Sequence, residues 1–367
     1  MFNKHKTIKY GKIALAKLKN IFVGNIYLRT GLFMPRPTKL YYLMSNKCNF
    51  RCQMCPQWKI GEGENISGYI SENRIKEIIK EMAKLKIFEF GISGGEPLIF
   101  KDKLLRLLKY ANEQGLYTHF ATNGSLLTEE FLEKYDNFGG GHISLSLDAG
   151  EILHDSLRGF PGAYKNAMAV MKISSGNKYK NINLKINITL TNENLDEISP
   201  LLMKAKEIGA MVFIQPYDAY DYGNKNIDYK ENNYPLWVKK ENYFKLKKLI
   251  SKLLEFKRKN PEILLNDEKH LKVFYSYFTD SNYSAKCYAA IDQVTIDPFG
   301  NVILCKFGKI VNLRDTSLKD YIYSKKRKDI VKASLQCGEG CLLGCMFKPS
   351  LIDLIRHGSK QFFKLIK

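Results

Sequence analysis

The sequence predicts a parallel α/β fold of barrel type, a partial (β/α)6 barrel of the TIM-like kind, followed by a small cysteine-rich domain. Three observations carry this. Between residues 39 and 216, six strand-like segments are each followed by a helix-like one, the alternation of a parallel sheet with crossover helices. The strand segments are apolar or β-branched, whereas the intervening ones repeat their apolar residues at helical spacing. The eight cysteines fall into two groups, at 48–55 and 287–345.

Residues 1–37 read as a basic amphipathic segment, with lysines interleaved among Ile8, Ile13, Leu15, Leu18, Ile21 and Phe22. Such a pattern suits a helix lying on a membrane surface or packed on the protein body. Pro35 and Pro37 close it. The barrel is expected over residues 38–225. "KLYYLMSN" is its first strand and runs straight into Cys48. "IFEFGIS" (87–93) is the second, and "KDKLLRLLKYANEQG" (101–115) is a helix ending at Gly115. The third strand, "LYTHFATNG" (116–124), ends in an Asn-Gly turn. "HISLSLDAG" (142–150), "NINLKINITLT" (181–191) and "AMVFIQP" (210–216) supply strands four to six, with a helix over about 195–208 before the last.

Residues 226–285 form a connector rich in Tyr, Asn and Lys, with one helix over 242–259. A cysteine-rich domain over 286–350 and a basic tail over 351–367 complete the chain. Within 286–350, "QVTIDPFGNVIL" predicts a hairpin around Pro298 and Gly300.

Composition narrows the function. No run of about 18 apolar residues occurs, so no membrane-spanning helix is expected. The N-terminus lacks an apolar core followed by a cleavage site, so no secretory signal is expected. In a reducing cytoplasm, eight cysteines point to metal ligands or catalysis rather than disulfides. Residues 1–61 hold twelve Lys or Arg and no acid, more than half of the +21 net charge. A basic arm of this kind suits anionic lipid, nucleic acid or an acidic partner, and coding bias toward Lys, Asn and Ile produces the same composition. The expected location is the cytoplasm, with the arm suited to the inner face of a membrane.

Cys48, Cys52 and Cys55 are spaced CxxxCxxC. Thiolates suit iron–sulfur clusters or zinc. A structural zinc site wants four protein ligands. A [4Fe–4S] cluster held by three thiolates instead leaves one iron free of protein, open to chelation by a small molecule.

On these residues the sequence resembles the radical S-adenosylmethionine (radical SAM) superfamily. Further segments match in order: "SGGEP" (93–97), "ATNG" (121–124), "SLD" (146–148) and "HDSLRG" (154–159). The resemblance spans about residues 40–216. It implies that the open iron binds S-adenosylmethionine, that the cluster cleaves the sulfonium, and that the resulting 5′-deoxyadenosyl radical removes a substrate hydrogen. It also implies a set of cofactor-binding residues. Gly94, Gly95 and Glu96 would lie at the methionine amino group, bare glycines allowing close approach. Asn123 would face the cofactor from its turn. Ser146 and Asp148 would reach the ribose and carboxylate. Arg158 would pair with the carboxylate, as a guanidinium can in bidentate geometry. Asn187 and Gln215 would flank the adenosyl group, and Met54 would lie beside adenine. Each position also has a bland reading as a turn, cap or packing residue.

Cys287 and Cys305, spaced Cys-x12-Gly-x4-Cys through Gly300, resemble the opening of the SPASM or twitch auxiliary-cluster extension. Cys337, Cys341 and Cys345 follow as CxxxCxxxC, which departs from the extension's usual close. The five suffice for one auxiliary [4Fe–4S] cluster drawing on Cys287, Cys305 and two of the last three; a four-thiolate zinc site is the structural alternative. An auxiliary cluster can take or give an electron, so oxidation, epimerisation or cross-linking is the expected chemistry.

The resemblance implies an electron donor such as flavodoxin or ferredoxin, and a peptide, sugar or lipid-linked substrate. Absence of a short peptide-recognition domain before residue 40 favours a small-molecule, sugar or lipid-linked substrate. No RNA-binding module accompanies the charge, which disfavours nucleic-acid modification. A non-enzymatic iron–sulfur or zinc scaffold would leave the Gly-Gly-Glu turn without a purpose. His119, His142 and His154 form no triad or metal spacing, and no general acid or base is assigned.

Overall fold

The computed structural model describes residues 15, 18–20, 22–24, 26–27, 29–174, 178–218, 234–285, 287–338 and 341–342. Strand β1 (Lys39–Leu43) leads through the cysteine loop to α1 (Glu72–Leu85), β2 (Glu89–Ser93), α2 (Lys101–Glu113), β3 (Tyr117–Thr122), α3 (Glu129–Asn137) and β4 (Gly141–Ser146). Helices α4 (Glu151–Arg158) and α5 (Ala163–Ser174) precede β5 (Ile182–Leu190), α6 (Ile198–Glu207) and β6 (Met211–Pro216). Then come α7 (Tyr243–Lys259), α8 (Glu268–Thr279), β7 (Gln293–Ile296), β8 (Asn301–Leu304), β9 (Gly308–Asn312), α9 (Leu318–Tyr323) and α10 (Lys325–Leu335).

Nine strands make one sheet in the order β6-β5-β4-β3-β2-β1-β7-β8-β9. Strands β1 to β6 lie side by side in chain order and all neighbours among them are parallel. The expected α/β class with a parallel core is what forms. Beyond β1, β7 adds in parallel, and β8 and β9 continue antiparallel. The segment expected as a separate cysteine-rich domain therefore enters the same sheet, and its hairpin turns at Pro298–Gly300.

Alternation along the strands separates two faces. Leu40, Tyr42, Phe90, Ile92, Phe120, Ile143, Leu145, Ile186, Ile188, Val212 and Ile214 are fully or nearly fully buried and share one core with the helices. The helices are shaped for that face. In α1, Ser71 caps the N-terminus by accepting from the Arg74 N–H, and Ile75, Ile78, Ile79, Met82 and Leu85 are buried at helical spacing. Each such side chain stabilises by about 1.5–3 kcal/mol. In α2, Leu104, Leu107, Leu108 and Ala111 play the same part. The opposite, inner face carries Lys39, Tyr41, Glu89, His119, His142, Ser144, Ser146, Lys185, Asn187 and Gln215, in register from strand to strand. It is mostly polar, with Ala121, Met211 and Phe213 among its apolar members.

The connector holds two helices where the sequence suggested one. Helix α7 matches the expected span; α8 was missed. It is capped by Asp267, whose side chain accepts from the His270 N–H, and it buries Leu271, Phe274, Tyr277 and Phe278. Its aromatic residues are also good strand formers, which hid the helical spacing. Among the described residues no helix is long and apolar enough to cross a membrane.

Candidate active site

The cysteine loop and the segments at 93–97, 121–124 and 146–148 lie at the carboxyl ends of β1 to β4 or in the loops that follow, whereas residues 154–159 lie on α4 and just after it. The cysteine loop leaves β1 and crosses the end of β2. Gly95 N donates to Ser45 O at 2.6 Å, and Glu96 N donates to Lys47 O at 2.9 Å. A Cβ on Gly94 would strike the Ser45 carbonyl oxygen, and one on Gly95 the Lys47 carbonyl oxygen; Gly94 also has φ +121°. The glycine pair is thus the seat on which the start of the cysteine loop rests.

Cys52 is buried, and Cys48 and Cys55 are half-buried. All three pack with Phe50, Met54, Ala163 and Phe160, and the Phe50 and Phe160 rings stack at 4.3 Å. Backbone bonds shape the turn: Phe50 N donates to Cys48 Sγ at 3.4 Å, and Cys55 N donates to Cys52 O at 3.3 Å. Trp58 Nε1 donates to Cys52 O at 3.1 Å. Burial pushes the Cys48 thiol up to about 11 and raises Cys52 and Cys55 as well. Coordination to iron deprotonates a thiol outright and offsets that cost. Among the described residues no three His, Cys, Asp or Glu side chains converge as one ion's ligands. Thiolates that bind separate irons of a cluster need not converge, and three soft donors in an apolar recess fit such a group.

Glu96 is buried and saturated. Its Oε1 accepts from Leu98 N at 3.0 Å and from Thr122 Oγ1 at 2.9 Å, and its Oε2 accepts from Asn123 N at 2.8 Å. Burial outweighs these bonds and pushes its carboxyl up to about 7. Glu96 therefore ties the end of β2 to the end of β3. Asn123 continues the link: its Nδ2 donates to Asn49 Oδ1 at 2.9 Å, and Asn49 Nδ2 donates to Ser125 Oγ at 2.9 Å.

Asp148 is fully buried. Its Oδ1 accepts from Thr189 N at 2.8 Å, and its Oδ2 accepts from Arg158 Nε at 2.7 Å and pairs with Nη2 at 2.6 Å. Arg158 Nη1 lies 3.9 Å from Cys52 Sγ, so the guanidinium faces the cysteine loop. His154 Nδ1 accepts from Asp148 N at 3.0 Å, and burial takes His154 down to about 4, keeping the ring neutral. Asn194 Nδ2 donates to Asp148 O at 2.9 Å.

Ser146, Asn187 and Phe213 share one register row on the inner face, and Thr189 and Gln215 share the next. Asn187 Oδ1 is buried without a hydrogen-bond partner among the described residues. His119 and His142 stack at 4.4 Å deeper on the same face. Asn49, Thr189 and Asn194 were not singled out by the sequence. The only signal for Asn49 was its place beside Cys48; the other two act from loop or backbone positions that spacing does not mark.

In the second cysteine group, Cys287 and Ala289 are buried, with Cys337, Cys341 and Leu304 packed against them. Cys305 follows β8 directly and has φ +33°. Cys345 and the basic tail lie outside the described residues, as do residues 1–14.

Residues 42–205 match the Radical SAM superfamily. The chain is 31% identical over 182 residues to the AdoMet-dependent heme synthase of Methanosarcina barkeri, covering 48% of this chain and 49% of that protein. It is 25% identical over 175 residues to the PqqA peptide cyclase of Bradyrhizobium diazoefficiens, covering 47% and 44%. The mycofactocin maturase of Mycolicibacterium smegmatis is 27% identical over 179 residues, covering 48% and 44%. The chain thus spans about half the length of the curated relatives it matches. Among solved structures, Streptococcus suis SuiB superposes with a TM-score of 0.63 at 17% identity, over 86% of this chain and 75% of SuiB. The AdoMet-bound anSMEcpe superposes with a TM-score of 0.58 at 19% identity, over 90% and 96%. Both likenesses are of fold. Over residues 42–205 this chain carries a radical SAM domain, a domain whose matched relatives are enzymes by name.

Proposed function

We propose that the chain is a radical SAM enzyme that holds a [4Fe–4S] cluster on Cys48, Cys52 and Cys55 and binds S-adenosylmethionine at its open iron. The observation that carries this is the cysteine loop itself: three thiols in an apolar recess, resting on the Gly94–Gly95 seat, with Arg158 turned toward Cys52. When bound, cluster and cofactor supply an electron to the sulfonium and a 5′-deoxyadenosyl radical that takes a substrate hydrogen.

The chain's own residues do the rest. The Gly94–Gly95 seat and the Glu96–Asn123–Asn49 chain of hydrogen bonds fix the loop against the ends of β2 and β3. Arg158 puts a positive charge beside the anionic thiolate set. Ser146, Asn187 and Gln215 line the inner face where the adenosyl group would lie, and Met54 packs beside the loop. The apolar recess shields Cys52 most, and Cys48 and Cys55 in part, from water. The electron would come from a flavodoxin or ferredoxin.

The packing of Cys337 and Cys341 against Cys287, with Cys305 one strand end away, supports an auxiliary cluster on these four thiols. The matched relatives bear names of a peptide cyclase, a maturase and a heme synthase, so a peptide or a small molecule is the substrate class proposed here. Leu15, Leu18 and Phe22, exposed at helical spacing beside Lys19, support contact with an anionic membrane surface. Flotation with phosphatidylglycerol vesicles, lost in a Leu18→Glu, Phe22→Glu variant, would check that contact.

The decisive experiment is anaerobic. The reconstituted chain is assayed for iron and sulfide, then given S-adenosylmethionine and dithionite beside a Cys48/Cys52/Cys55→Ala variant. Two four-iron clusters predict about eight irons in the parent and about four in the variant, with 5′-deoxyadenosine from the parent alone. A fully loaded parent that makes none, with or without candidate substrates, overturns the reading.

A further inference from the structure

The inner face of β5 presents a lysine that the proposed chemistry leaves unused. Lys185 occupies the register row Ser144–Lys185–Met211, one row below Ser146–Asn187–Phe213 and one row above the stacked His119 and His142. Its side chain is enclosed by protein on most sides yet keeps some solvent access.

Other buried cations in the described chain are matched by acceptors. Arg158 pairs with Asp148. Lys257 Nζ donates to Leu264 O at 2.6 Å and to Pro261 O at 3.2 Å. Arg327 donates to the carbonyls of Pro35 and Ile291 at 2.9 and 3.2 Å. Lys185 has no hydrogen bond, and no carboxylate within the 4.0 Å of an ion pair, among the described residues. Its electrostatic neighbours on the same face are Glu89 and Lys39; the nearer contact of Glu89 is His119, at 3.7 Å, and that of Lys39 is Asp292, at 3.8 Å. Burial accordingly brings the Lys185 ammonium down to about 8. A largely enclosed amine with no protein acceptor among the described residues is placed to take an anionic group of a ligand.

We propose that Lys185 determines substrate specificity by binding a carboxylate of the substrate, with the Asn187 amide oxygen one row above accepting from a neighbouring N–H or O–H donor. This rests on the reading above for what lies next to it. Rows on one strand face are about 6.6–7 Å apart, so a carboxylate on Lys185 holds the adjacent substrate carbons beside the group that Asn187 flanks. The carboxylate is the shared chemistry of two sources, a free acid and an acidic residue of a peptide.

The test is equilibrium binding to the full, anaerobically reconstituted chain by titration calorimetry. The probes are two matched pairs: glutarate against glutaramide, and acetyl-Ala-Glu-Ala-amide against acetyl-Ala-Gln-Ala-amide. The acidic member of at least one pair should bind ten-fold or more tightly than its neutral isostere, and Lys185→Met should bring that ratio below three-fold. Which pair shows the preference identifies the source. No preference in either pair, or a preference that survives in Lys185→Met, overturns the proposal. Should that variant fold poorly, the parent alone decides: the preferred acid should slow reductive methylation of Lys185 at least five-fold, read by mass spectrometry, and unchanged labelling overturns it. Neither readout needs turnover. A chain that prefers the acid but forms no 5′-deoxyadenosine would keep this site and lose the radical reading.

Discussion

Arg158 holds Asp148 on one side of its guanidinium, at 2.6 Å, and stands 3.9 Å from the Cys52 sulfur on the other. The fork joins the end of β4 to the middle of the cysteine loop. Because Asp148 is wholly buried, its charge has no solvent to fall back on. Removing the arginine should therefore cost about 3–5 kcal/mol, the penalty for an uncompensated buried charge. Arg158→Met should show this in anaerobic urea unfolding, and adding Asp148→Asn should restore part of it. A loss under about 1 kcal/mol in the single variant would mean that the carboxylate is not anchored as described.

The glycine seat gives a sharper contrast. A methyl group on Gly95 meets the Lys47 carbonyl oxygen, whereas one on Gly115 meets nothing within 4 Å. Both Gly95→Ala and Gly115→Ala should fold. Gly115→Ala pays only for its φ of +78°, about 1 kcal/mol, and should bind iron normally. Gly95→Ala has to push the loop off β2 and should lose about half of its iron, the four of the loop cluster. Equal iron contents in the two variants would show that the loop is not seated on the glycine pair.

Glu96 predicts a pH dependence whose sign is fixed. Its folded pKa of about 7 lies above the ordinary 4.5, so the fold takes up a proton there. The stability this contributes is complete below 4.5 and is lost as pH rises through 7, about 3 kcal/mol in all. His154 and His270, both lowered to about 4 by burial, act in the opposite sense below about 6.5. They are common to parent and variant and cancel in the difference. The unfolding free energy of the parent minus that of Glu96→Gln should thus fall by about 3 kcal/mol from pH 4.5 to 8. A flat difference would place the carboxyl near its ordinary value.

The second cysteine group is tested by metal content. Cys287→Ser and Cys341→Ser should each reduce iron from about eight to about four per chain, the loss of one four-iron cluster. Zinc near one equivalent in the parent, falling in the variants with iron unchanged, would replace the auxiliary cluster by a structural site.

Much of this arrangement was legible in the sequence. The six strands from Lys39 to Pro216 and the spans of α2 and α6 follow from periodicity, which reports which face of an element is apolar; the other helices of this range were expected only from the alternation. The cysteine spacing, Gly94–Gly95 and the Asn123–Gly124 turn announced themselves because their chemistry is local. Periodicity does not say which distant group meets a given side chain. That Asp148 bonds the backbone of Thr189 depends on the β4–β5 register, and that Lys257 is capped by the carbonyls after its own helix depends on how that loop folds back. Helix α8 was hidden by residues that serve strands equally well. Lys185 is one polar residue in an alternating strand; only its neighbours reveal that it lacks an acceptor among the described residues.

The pairing of β1 with both β2 and β7 has a consequence for how the chain is made. Lys39–Leu43 emerges first of all the strands, yet one of its two edges stays open until Gln293–Ile296 has been synthesised. At about 5–20 residues per second, that edge waits for roughly 10–50 s on the ribosome while the six parallel strands assemble on its other side. An unpaired edge of this kind invites pairing with other chains. The burden therefore falls on the nascent protein.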